Sequence, residues 1–317
     1  MKMTAALACA LLTTGVAFAQ LPAEVTAKYN EAAALINQKK FIEAIPMLEN
    51  VLSEGEAADP ESDIVVQAQR LLPECYIRQG AMAAGAGKFE DAITALNKAD
   101  ELANQYNVTA AKTKIDNLFP KVYVAYGAPA FNNKDYAKAI DVFSRAYAKF
   151  PNDTKMAMLL AQSYCESGEM AKGEEIYKNI IALEAKHDKY AEAASQAKAA
   201  LANYLLVDAS KAAEAQDLEG VVKATDAILA FDPTNGAANL MRLQTATNLK
   251  NYDAVIGFGE QAASTQPTEL DKSNAYFLLG AAYQNKNDKA KAIEMYQKVT
   301  EGPNAATAKA QIAELNK

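Results

Sequence analysis

A single histidine, His187, stands in this 317-residue chain. General acid–base or nucleophilic catalysis would need a partner for it. The surrounding Ala185-Lys186-His187-Asp188-Lys189 offers no nucleophilic serine and no second histidine at useful spacing. The reading that remains is a histidine satisfied at the surface or at a helix end. One histidine with Cys75 and Cys165, far apart in sequence, cannot complete a four-ligand zinc site. Gly85-Ala86-Gly87-Lys88-Phe89 has the outline of a phosphate loop, but Met82 stands where the upstream glycine belongs and Phe89 where Ser or Thr must follow the lysine. Asn285-Lys286-Asn287-Asp288-Lys289 lacks the glycine and the terminal glutamate of a calcium loop. Glu174-Glu175 lie beside Lys172 and Lys178 and read as a solvated helix face. These residues lead to an expectation of no catalysis, no metal and no cofactor.

The elements that position these residues are announced by a repeat. Tyr276, Leu279, Gly280 and Tyr283 are followed by Ala292, Tyr296, Val299 and Pro303. Tyr123, Tyr126, Gly127 and Ala130 are followed by Ala139, Phe143, Ala146 and Pro151. The offsets agree until the final proline, which differs by one residue. One spacing rule in two separate stretches means one supersecondary unit, copied and stacked. Five weaker copies are marked by the turn and start of a second helix, at Lys40-Phe41, Lys88-Phe89, Glu169-Met170, Asp217-Leu218 and Asn251-Tyr252.

This pattern resembles the tetratricopeptide repeat, a helix-turn-helix unit of about 34 residues. The units start near Val25, Pro73, Pro120, Thr154, Ala202, Gly236 and Ser273, so the resemblance covers nearly all of residues 20–317. It implies an all-α solenoid, a right-handed superhelix of about seven helical hairpins. A closing helix over residues 304–315 follows, with Asn304 as its cap and Ala308, Ile312 and Leu315 covering the last hairpin. Small residues are needed where the two helices of a unit cross: Ala32, Gly80, Gly127, Ala161, Ala209 and Gly280. Large ones fill the space opposite: Leu48, Leu96, Phe143, Tyr177 and Tyr296. The sixth unit inverts this, with Leu243 in the small slot and Gly259 in the large one, so Leu243 is expected to fill the room that Gly259 leaves.

Unit starts are 48, 47, 34, 48, 34 and 37 residues apart. The three long intervals carry extra residues that are apolar at helical spacing, among them Val65, Ala68 and Leu72, Ala111, Ile115 and Phe119, and Ala194, Ala197 and Leu201. They read as turns lengthening the first helix of the next unit by about 20 Å at 1.5 Å per residue. At Pro73 and Pro120 either a kinked long helix or two short helices fits.

Length alone suggests about two globular domains, but the repeats argue for one quasi-linear body. The net charge of −7 comes from interleaved Lys and Glu, which argues against nucleic acid because no basic stripe is formed. The acidic stretch from Glu54 to Asp63 reads as a solvated connection into a helix N-terminus. Residues 1–19 have the plan of a signal peptide: Lys2, an apolar run from Ala5 to Phe18, and Ala17-Phe18-Ala19 before cleavage between Ala19 and Gln20. The run is short for a bilayer span, and the apolar segment before Cys9 is very short for lipid attachment. An exported, periplasmic location without stable membrane insertion is therefore expected. Cys75 and Cys165 lie one whole unit apart, so two buried free thiols are expected rather than a bridge.

The resemblance also places the fifth slot of each first helix in the concave groove. That slot holds Tyr29, Ile77, Val124, Met158, Leu206, Leu240 and Phe277, all apolar. Gln162, Gln244, Gln284, Asn132 and Asn285 stand nearby to bond a peptide backbone. The Lys-x3-Asn arrangement with which relatives clasp a carboxylate is missing. The implied function is a protein- or peptide-binding scaffold or assembly adaptor in the cell envelope, taking an apolar or amphipathic segment. The same slots would equally serve as packing between units. A second reading is a carbohydrate- or solute-binding accessory of an outer-membrane uptake system, which the absence of Trp makes less apt.

Overall fold

The computed structural model describes residues 21–317; the expected signal segment and its cleavage site lie outside the described residues. The described residues form fifteen α-helices and one 3-10 turn, with no strand. They divide into two compact units, with the boundary between Ala146 and Tyr147.

Unit 1 contains α1 (Ala23–Asn37), α2 (Phe41–Ala58), α3 (Asp63–Gly85), α4 (Phe89–Gln105), α5 (Thr109–Asn132) and most of α6 (Tyr136–Lys149). Unit 2 contains the end of α6, then α7 (Thr154–Glu166), α8 (Met170–Leu183), the 3-10 turn Asp188–Tyr190, α9 (Ala191–Glu214), α10 (Leu218–Leu229), α11 (Gly236–Asn248), α12 (Tyr252–Ser264), α13 (Glu269–Asn285), α14 (Lys289–Gln297) and α15 (Asn304–Leu315). The helices pair as hairpins and stack in chain order within each unit.

Every hairpin turns the same way. The residue two past the first helix takes a left-handed backbone: Lys39, Gly87, Lys134, Gly168, Gln216, Lys250 and Asn287. In each, the next N–H bonds back to the carbonyl three from the helix end, as in Lys40 to Leu35 at 2.9 Å and Asp288 to Tyr283 at 2.9 Å. This closes the last orphan carbonyls and reverses the chain within a few residues. Side chains then start several of the helices. Ser62, Asp153, Asn235 and Thr268 accept from backbone N–H groups at the first helices α3, α7, α11 and α13, and Asp217, Asn251 and Asp288 do so at the second helices α10, α12 and α14.

Packing inside the hairpins follows the small-against-large rule. A Cβ added at Gly80 would stand 2.9 Å from Leu96, one at Gly127 2.6 Å from Phe143, and one at Gly280 2.8 Å from Tyr296. The sixth hairpin corrects an expectation. The side chain that stands closest to Gly259 is Leu279 of the next hairpin, whose Cδ1 would be 2.7 Å from an added Cβ, rather than Leu243. Leu243 is fully buried in the same cluster as Ala246, Ala262 and Ala275. The inverted slot is thus compensated between hairpins rather than within one.

The prolines do not break the chain into short pieces. Pro73 lies within α3 and Pro120 within α5, so each is one long helix; Pro46 and Pro129 are also helical. The added residues begin α3 at Asp63, α5 at Thr109 and α9 at Ala191, giving helices of 23, 24 and 24 residues. At the chain's end Ala308, Ile312 and Leu315 of α15 pack on Ala292, Tyr296 and Val299. Asn304 is not the cap of α15. Pro303 holds that place without a side-chain bond, and Asn304 donates to Asn274 Oδ1 at 3.1 Å.

Candidate functional site

The residues with chemical potential are used by the scaffold. His187 Nδ1 accepts from Lys189 N at 3.0 Å and caps the 3-10 turn. Gly87 and Lys88 form the turn between α3 and α4. Cys75 lies in unit 1 and Cys165 in unit 2, both buried and free. Burial is the leading reason that each thiol is pushed up to about 11, with neighbouring carboxylates adding to it. Both thiols are therefore protonated and poor nucleophiles near neutral pH. Among the described residues no cluster of His, Cys, Asp and Glu has the form of a metal site, and no helix is long and apolar enough to cross a membrane.

Two phenols answer carboxylates between neighbouring helices. Tyr76 of α3 donates to Glu49 of α2 at 2.6 Å, and Tyr204 of α9 donates to Glu166 of α7 at 2.6 Å. Burial first, then those carboxylates, holds both phenols far above their ordinary value. They are locked hydrogen-bond donors that fix the spacing of helices.

In unit 1 the fifth-slot residues are drawn toward the core. Ile77 of α3 is 6% exposed and offers a partner little surface. Tyr29 of α1 is half-buried against the cluster of Leu48, Val51 and Leu72, and Val124 of α5 is half-buried. The next neighbours of Tyr29 and Ile77 are the polar Asn30 and Arg78, and Val124 is followed only by the small Ala125, so no strip of large apolar pairs forms. A depression of 630 Å³ opens elsewhere in this unit, among Ile42, Tyr76, Met82, Ala95 and Lys98.

Unit 2 is different. Its first helices α7, α9, α11 and α13 each touch the next. Met158, Leu206, Leu240 and Phe277 stand on them half-buried, so each keeps part of its surface in water. Each is followed by another apolar residue that the fifth-slot rule alone misses: Leu159, Val207, Met241 and Leu278. Val207 is 53% exposed. The signal was present in the sequence as four apolar pairs at equivalent places. Gln162 is half-buried and Gln244 exposed. Gln284 is engaged already, accepting from Tyr296 at 2.7 Å and donating to Gln311 at 2.9 Å, which ties α13, α14 and α15 together. Phe277 also leans on this corner, its ring 5.7 Å from that of Tyr296.

Two depressions flank α9 on this face. One, of 490 Å³, includes Met158, Leu159 and Ala193; the other, of 470 Å³, includes Ala202, Leu206, Asn203 and Asn235. Concave sites with apolar floors and a few polar groups suit ligand side chains rather than reaction chemistry.

Models of the tetratricopeptide repeat family match residues 130–198 and 273–301. Among solved structures, the MamA protein shares 17% identity over 62% of this chain and 94% of its own, with a TM-score of 0.33. A tetratricopeptide repeat protein from Parabacteroides merdae shares 12% over 93% of this chain and 100% of its own, with a TM-score of 0.27. The TPR2AB domain of yeast Sti1, in its complex with pHSP90, shares 16% over 78% of this chain and 99% of its own, with a TM-score of 0.31. No curated protein matches the sequence.

Proposed function

We propose, from the premise that this chain is a tetratricopeptide repeat protein, that it is a protein-binding scaffold without catalysis of its own, acting in the cell envelope after export. Unit 2 is its peptide-binding half, and the occupant is an apolar or amphipathic segment of a partner protein. The single observation carrying this reading is the row of half-buried apolar pairs, with Val207 exposed, on four adjacent first helices. Adjacent packed helices stand about 10 Å apart, so the row runs roughly 30 Å. That length matches about 20 residues of a bound helix. Methionines at 158 and 241 add side chains that adapt to the shape laid on them. The exposed amide of Gln244 flanks the row and supplies a donor and an acceptor for a peptide backbone.

Met158→Ser with Leu240→Ser tests this reading. Partner capture from an envelope extract falls by about tenfold or more, because the double change removes two apolar anchors from an interface dominated by a few. Helical circular dichroism stays as in the wild type. Retained capture sinks the reading, and collapse of the helical signal in both single variants makes the row core instead.

Export is supported by Lys2, the apolar run from Ala5 and Ala17-Phe18-Ala19. The mature protein recovered from cells then begins at Gln20 by intact mass. An unprocessed N-terminus in the cytoplasm overturns the location while leaving the binding surface untouched.

A further inference from the structure

The depression between α7 and α9 carries a charge imbalance that its apolar floor does not require. Met158, Leu159 and Ala193 line it together with Lys155, Lys189 and Glu192. Some lysines elsewhere in unit 2 close ion pairs, such as Lys198 with Glu184 at 2.9 Å and Lys286 with Asp253 at 2.9 Å, while others, such as Lys223 and Lys250, stand without one among the described residues; what sets this depression apart is two such ammonium groups beside one apolar floor. The Lys155 side chain has no ion-pair or hydrogen-bond partner among the described residues. Lys189 has no carboxylate partner there either, its ammonium lying 4.7 Å from the ring centroid of Tyr190. Asp153, two residues before Lys155, is turned to its own helix and accepts from Met156 N at 3.1 Å. Glu192 accepts from Gln196 at 3.2 Å, which leaves two ammonium groups against one engaged carboxylate.

We infer that this depression reads an acidic–apolar pair in the partner segment. An aliphatic side chain sits on Met158, Leu159 and Ala193, and the carboxylate of an adjacent Asp or Glu lies between Lys155 and Lys189. The inference rests on the peptide-binding reading and gives it a direction and a sequence preference. A phosphate or a nucleic-acid backbone would use the lysines but leave the apolar floor idle, so the combined surface favours a protein segment. The attraction is between half-solvated charges, so it selects and orients more than it tightens, and salt screens it.

The test uses the full chain and two short fluorescein-labelled peptides of identical length. One carries Leu-Glu pairs and the other Leu-Gln pairs at the same positions. By fluorescence anisotropy at low salt, the wild type holds the Leu-Glu peptide roughly fivefold tighter, the range of two exposed ion pairs. The difference shrinks at high salt and is erased by Lys155→Gln with Lys189→Gln. Equal affinity of the wild type for both peptides overturns the inference and leaves the binding face standing. Failure to bind either peptide overturns both.

Discussion

Gly127→Leu costs about 3 kcal/mol of stability, at the upper end of the range for overpacking a core. An added Cβ alone would stand 2.6 Å from Phe143 Cζ and 2.7 Å from Cε1. Phe143 is fully buried, so its ring has no empty space to move into. A leucine places three further carbons in the same crossing, where interiors are packed as densely as organic crystals. The helices α5 and α6 must then part. Gly85→Ala is the control. It sits at the C-terminal end of α3 with nothing within 4 Å of an added Cβ. That change stabilises by a few tenths up to about 1 kcal/mol through helix propensity alone. Urea unfolding followed by circular dichroism reads the loss as a lowered midpoint. An unchanged midpoint for Gly127→Leu would break the assignment of the small slot.

The legible part of the fold was that slot rule. Gly80, Gly127 and Gly280 each face the large residue predicted from spacing alone, because a helix crossing this close demands a missing side chain on one partner. The turns were legible only by position. Five of the seven left-handed turn residues are Lys39, Lys134, Gln216, Lys250 and Asn287, not glycine. A single left-handed residue costs roughly 1–2 kcal/mol, and the closing backbone bonds with hairpin packing outweigh it. A reader looking for glycine would miss most of them. The Gly259–Leu279 contact was not legible, since slot rules describe one hairpin and this contact joins two. Continuity through Pro73 and Pro120 was also undecided by sequence, because proline is tolerated in a kinked helix and in a first turn alike.

The candidate surface was half legible. The fifth-slot rule treats all units equally, yet Ile77 is core at 6% exposure while the neighbour of Leu206, Val207, is 53% exposed. What separates them is the sixth slot. Arg78 stands there in α3, where its guanidinium lies 5.7 Å from the centroid of the Phe41 ring. In α9 the slot is Val207, which extends the apolar strip outward. A rule reading pairs rather than single positions would have directed attention to unit 2. It would still have missed Lys155 and Lys189, because they converge only through the packing of α9 and its preceding turn against α7.

Arg242→Ala also costs about 3 kcal/mol, while Arg242→Met costs about 1 kcal/mol. Arg242 occupies the slot of the sixth unit that Leu279 holds in the seventh, and it is 7% exposed. Its Nε donates to Thr225 Oγ1 at 2.5 Å and its Nη2 to the Val222 carbonyl at 3.3 Å and to Asp226. Its guanidinium carbon lies 5.6 Å from the centroid of the Phe258 ring. One side chain therefore joins α10, α11 and α12. The Asp226 side chain is 63% exposed, so water keeps that carboxylate solvated and the ion pair itself adds at most about 1 kcal/mol. Thr225 keeps a bond of its own when arginine is lost, donating to the Val221 carbonyl at 2.7 Å. Methionine preserves most of the volume and buries no charge, and such exchanges are commonly well tolerated. Alanine opens a cavity beneath Phe258 and loses the same donors. Chemical denaturation of the three proteins decides between packing and hydrogen bonding. If methionine is as damaging as alanine, the donors to Thr225 and Val222 hold the three helices together and the filled volume counts for little.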